Sequence, residues 1–154
     1  MATVVGRDDN HTPIQGPYAC IAKKSMTLAG GTTNDPGDYD GTGNPATLFT
    51  VTGDCLVTIF GIVNTNLVGA ATIEVGIAEN TAALIAQSTA TDIDDGHIWI
   101  DATPGTVQLL PTASILNDGT DIIQTVGSAD ITAGQIDYYC FYQPLEAGAS
   151  VVAA

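Results

Sequence analysis

The chain has 154 residues, of which 45% are hydrophobic, and carries 17 acidic against 3 basic side chains for a net charge of −14. That length suits one domain with its own core and leaves no room for a second. Its apolar runs break well short of the roughly 20 residues a membrane helix needs, and so acidic a body is a poor partner for nucleic acid, whose phosphates are held by clustered Lys and Arg.

Charge is polarised along the chain. Arg7, Lys23 and Lys24 are its only cations and all lie in the first 24 residues, so nothing after Lys24 can form a salt bridge without reaching back to that segment. The acidic body must be held by apolar burial and hydrogen bonds, and its copies repel one another unless apolar contacts or a positive partner compensate. No basic stretch followed by an apolar core opens the sequence, so the protein is expected to stay, at first, where it is made. Cys20, Cys55 and Cys140 form no C-x-x-C pair and read as buried small hydrophobes in a reducing compartment. A bridge between Cys55 and Cys140 stays open at this level.

In chain order, residues 1–18 lack periodicity and contain Gly6, Pro13, Gly16 and Pro17, which predicts an extended N-terminal arm with Ile14, Pro17 and Tyr18 as apolar anchors. The domain proper is expected over residues 19–154. Residues 19–28 predict a strand whose Lys23 and Lys24 mark an exposed sheet edge. Residues 29–46 are nearly all turn formers and predict a long surface loop, a candidate contact tip. Strands over 46–51 and from Cys55 onward, joined by Thr52, Gly53 and Asp54, predict a hairpin.

The strand from Cys55 to Thr65 organises the rest. Cys55, Val57, Ile59 and Val63 share one face while Leu56, Phe60 and Ile62 share the other. Both faces are apolar, which calls for two covering layers. Further strands are predicted at 71–79, 82–87 (where a short helix is the alternative), 98–101, 106–110, 120–126 and 135–143, and residues 146–154 are either a loose end or a last strand. Short strands at this spacing predict an all-β single domain, a β-sandwich, jelly-roll-like fold or barrel. The stretch from Ile136 to Tyr142 is again apolar on both faces and is expected beside the Cys55 strand. Phe60, Ile62, Tyr139 and Phe141 are the candidate subunit interface.

Chemistry-bearing motifs are sparse. Asp92, Asp94 and Asp95 around Gly96 form the densest carboxylate cluster and are the candidate calcium ligands, although position twelve of an EF-hand loop would be Thr103 rather than Glu. Asp35, Asp38 and Asp40 raise the same idea with less support. His97 and Trp99, two apart, resemble a carbohydrate-stacking platform or half-buried structure. Ser88, Ser114 and Ser128 lie outside any G-x-S-x-G elbow, and no P-loop, dinucleotide or zinc spacing occurs. The expectation is a protein that is not an enzyme and needs no cofactor.

The runs Leu48 to Val63, Asn66 to Ala78, Asn80 to Gln87 and Ile98 to Pro104, all Thr/Gly/Ala-rich strands, resemble small virion structural proteins of tailed bacteriophages, in particular capsid decoration or cement proteins. The resemblance implies a β-sandwich or jelly-roll-like homotrimer on the outer capsid surface that braces subunits of the major capsid protein. The residues then suggest a docking arm carrying Arg7, Ile14, Tyr18, Lys23 and Lys24. The alternative is a tail-tip or fibre head domain that recognises the host surface through the 29–46 loop, and copy number per particle separates the two.

Overall fold

The computed structural model describes residues 20–154, and before them only the backbone of a two-residue ladder in which Gly6–Arg7 (β1) pairs antiparallel with Pro13–Ile14 (β2). Arg7 and Ile14 of the expected arm fall on that ladder; Tyr18 lies outside the described residues.

Ten further strands follow. They are Cys20–Thr27 (β3), Ala46–Thr52 (β4), Cys55–Val68 (β5), Thr72–Ile77 (β6), Asn80–Thr89 (β7), Ile98–Trp99 (β8), Ser114–Leu116 (β9), Ile122–Gly127 (β10), Ala133–Pro144 (β11) and Ser150–Ala153 (β12). A single 3₁₀ turn, Ala90–Asp92, is the only helical element among the described residues. The strands form two antiparallel five-stranded sheets. One has the order β3-β11-β5-β8, with β9 also on β5; the other has the order β12-β4-β10-β6-β7. One apolar core lies between them, drawn from Val57, Ile59, Ile136 and Tyr138 on the first sheet and Phe49, Ile73, Val75, Ile85 and Ile122 on the second. The protein is therefore all-β, as its alternating pattern requires.

The long β5 is the centre of the first sheet. Its neighbour along nearly its whole length is β11, with Phe60 opposite Tyr139 and Ile59 opposite Cys140. This is the adjacency expected from two strands apolar on both faces. Residues 82–87 are strand, inside β7, and residues 150–153 form a strand at the end of the chain. Lys23 and Lys24 do sit on an edge strand, β3.

Two sequence expectations fail. The first is the hairpin between β4 and β5, for these strands belong to different sheets. At their junction the main-chain N–H groups turn to side chains elsewhere in the chain: Gly53 donates to Asp118 Oδ1 at 2.7 Å and Asp54 to Glu146 Oε1 at 3.2 Å. The turn is a corner between layers, and Gly53, with φ +65°, is shaped for it. Instead, β6 and β7 form the adjacent hairpin.

The second is the strand over 106–110. These residues are irregular, because the open flank of β5 is taken at Gly61–Ile62 by β8 and at Cys55–Val57 by β9, which leaves the connecting segment no strand to pair with. Cys55 and Cys140 are free thiols. Cys140 lies opposite Ile59, four residues along β5 from Cys55, roughly 13 Å at the rise of a strand and beyond disulfide reach.

Candidate interaction surface

Antiparallel registry places the outward side chains of the first sheet in rows. Ile21, Phe141 and Thr58 form one row; Lys23, Tyr139 and Phe60 the next; Ser25, Asp137, Ile62 and Ile98 a third; Gln143, Leu56 and Ile115 a fourth. All four residues expected at an interface (Phe60, Ile62, Tyr139 and Phe141) thus lie on one face, pointing away from the core. Their environment differs from a simple greasy patch. Phe60 stacks on Tyr139 with centroids 5.5 Å apart and meets Phe141 edge-on at 5.3 Å, so the three rings half-bury one another. More exposed apolar groups surround them: Ile21 is 62% exposed, Ile115 65% and Ile62 36%.

This face carries one ion pair. Lys23 Nζ lies 2.7 Å from Asp137 Oδ2 and 5.4 Å above the Tyr139 ring, and Ser25 Oγ donates to Asp137 Oδ1 at 2.5 Å. The Lys23 hydrogen bond, with help from Ser25, holds the Asp137 carboxyl below its usual value, and the same bond raises Lys23. The charges cancel locally, so the strands of this sheet present a neutral aromatic and aliphatic surface on a strongly acidic chain. Lys24, next in sequence, turns away and donates to the Ala154 carbonyl.

The other expected sites are arranged differently. Asp92, Asp94 and Asp95 are exposed. Among the described residues, the carboxylates that converge are Asp38, Asp40 and Asp130, with oxygens all within 4.8 Å. Asp38 is nearly buried; desolvation first, and the charges of Asp130 and Asp40 after it, push its pKa up. The partner from the β10–β11 connection could not be found by spacing, because Asp130 is some ninety residues away.

The 29–46 loop is fastened rather than free. Gly30 N–H donates to the Ile131 carbonyl and Ile131 N–H to the Gly37 carbonyl, Tyr39 N–H donates to Asp130 Oδ1, and the Asn44 side chain both donates to the Val126 carbonyl and accepts from its N–H. Asp35 Oδ1 receives the N–H groups of Ala29 and Gly37.

Nor do His97 and Trp99 form a stacking platform. Trp99 is wholly buried, its indole N–H donating to Ser88 Oγ at 2.8 Å, while His97 Nδ1 accepts from the Asp94 N–H. Ser88 in turn donates to the Asp101 carbonyl at 3.1 Å, so its hydroxyl is occupied in holding the two sheets' edges together. An open cleft of about 540 Å³ lies between Thr47, Ile77, Leu116, Asp121 and Ile123.

Comparison of the chain with protein-family models, with curated proteins and with solved structures returned no match.

Proposed function

We propose that this chain is a non-enzymatic virion structural protein of the capsid-decoration kind: a cement protein that sits on the outer face of a phage head and braces subunits of the major capsid protein. Copies meet in a homotrimer through the first sheet, and the cationic N-terminal segment docks on the shell.

The observation that carries the reading is the neutral face built on Phe60, Tyr139 and Phe141 with Ile21, Ile62 and Ile115 around it. Aromatic side chains with few charges are the composition of an interface centre. Elsewhere the chain is dominated by carboxylates, which disfavour close approach of like copies and leave this sheet as a surface where they can pack. Arg7 supplies positive charge for an acidic shell, while Lys23 is paired with Asp137 and Lys24 with the Ala154 carbonyl.

Electron cryomicroscopy of particles carrying the protein tests the assignment. Capsid-like copy number on the outer shell is the expected result, and deletion of residues 1–18 is expected to reduce occupancy. A handful of copies at the tail, or undiminished occupancy after the deletion, would overturn it.

A further inference from the structure

Two features that the proposed function leaves unused fit each other. The first is the segment 106–110 (Thr-Val-Gln-Leu-Leu), in the β8–β9 connection. It has the composition of a strand, yet within the described residues none of its main-chain groups is hydrogen-bonded in the chain. Val107 and Leu109 are each 87% exposed and Leu110 57%. Exposed aliphatic side chains are ordinary when they occur singly, but three within four residues form a patch that calls for an explanation.

The second is the outer edge of β7, which is tied to the Asp101 carbonyl at Ser88 and carries no further strand. This ten-residue strand pairs with β6 alone and ends the second sheet. Natural edges are protected by Lys, Pro or short length. The β3 edge has Lys23 and Lys24, and β12 is only four residues long, but β7 contains no Lys, no Pro and no acid. Its exposed Ala83 and Ala86 leave space beside the edge for a larger side chain.

We infer that residues 106–110 of one copy add as a strand to the β7 edge of a second copy. A donated strand satisfies main-chain groups on both sides and places alternate side chains over the receiving sheet. Both segments are uncharged, so two copies of net charge −14 can meet here without opposing carboxylates. Val107 and Leu109, each 87% exposed, share one face of an extended strand, so both can lie over the receiving sheet while the main chain pairs along its edge. Donor and acceptor are different residues, an arrangement that suits both reciprocal exchange in a two-fold dimer and a head-to-tail ring. It is a second contact, on the edge of the second sheet rather than the face of the first, and does not depend on the virion assignment.

The test uses the full chain in sedimentation velocity, with two variants altered only at exposed positions. Val107→Asp combined with Leu109→Asp disables the donor, and Ala86→Lys blunts the acceptor. The expected result is that wild type associates, that each variant alone associates more weakly than wild type, and that a mixture of the two associates more strongly than either alone, through the single intact donor and the single intact acceptor. Amide hydrogen exchange on the wild-type assembly is expected to show protection at Val107 to Leu110 that is lost in the donor variant. A monomeric wild type, or variants that associate like wild type, would overturn the inference. In the latter case, loss of association in Phe141→Lys would leave the aromatic-face reading standing. If the donor variant associates normally but no longer decorates capsids, the segment binds the shell instead and the inference fails.

Discussion

The Tyr138 hydroxyl donates to Gln124 Oε1 at 2.8 Å, joining β11 of one sheet to β10 of the other through the middle of the core. Both residues are fully buried, and Gln124 Nε2 goes on to donate to the Pro36 carbonyl at 3.1 Å. A polar chain thus crosses the apolar interior and ends on the 29–46 loop. Burial pushes the Tyr138 phenol well above its ordinary value, so it is a donor throughout the working pH range.

Tyr138→Phe removes the donor and leaves Gln124 Oε1 buried without it. The expected cost is about 1–3 kcal/mol in chemical denaturation, the penalty of a stranded buried acceptor rather than of one exchanged hydrogen bond. Tyr138→Phe combined with Gln124→Leu is expected to recover part of that loss, because no stranded group then remains.

Ser88→Ala is expected to destabilise by a similar order, about 1–3 kcal/mol, because the buried Trp99 indole N–H loses its acceptor. Trp99 fluorescence monitors the same site during unfolding. An unchanged midpoint would show that another group takes over the bond.

Asp38 is a carboxyl whose folded-state pKa is raised by burial and by Asp130 and Asp40. The folded chain therefore holds a proton that the unfolded chain has already released, and this group's contribution to stability falls as pH rises from the unfolded value, near 3.8, through the folded one. Asp38→Asn is expected to raise the melting temperature at neutral pH and to remove that part of the pH slope. A lower melting temperature at neutral pH would contradict it.

Asp137 has the opposite sign. Lys23 and Ser25 lower its folded-state pKa, so its contribution is present above the unfolded carboxylate range and is lost as pH falls through the lowered value. Lys23→Gln is expected to raise the Asp137 pKa, measurable by NMR titration, while the melting temperature changes little, since Lys23 stands at the surface.

Gly69 has φ +144°, and a Cβ there would sit 2.2 Å from the Asp130 carbonyl oxygen. Gly69→Ala is expected to cost more than about 2 kcal/mol, since backbone rather than a flexible side chain would have to move. Thermal melts read this directly, and an unchanged melting temperature would show that the β10–β11 connection can shift.

The chain's own alternation determined which faces of β5 and β11 are apolar and that the two strands adjoin, because side-chain direction in a strand depends only on position along it. The same local rule read Lys23 and Lys24 correctly as an edge. Other features depend on contacts between residues far apart in sequence. Whether a tight turn at Gly53 returns within a sheet or crosses to the other was decided by Asp118 and Glu146, which capture its N–H groups. Whether 106–110 becomes a strand depended on a free neighbour, and β8 and β9 had taken the flank of β5 on either side. Asp130 joined Asp38 and Asp40, and Trp99 left His97 for the core, only when the two sheets closed. A strand pattern states what a segment can do; the partner that lets it do so exists only once the layers are assembled.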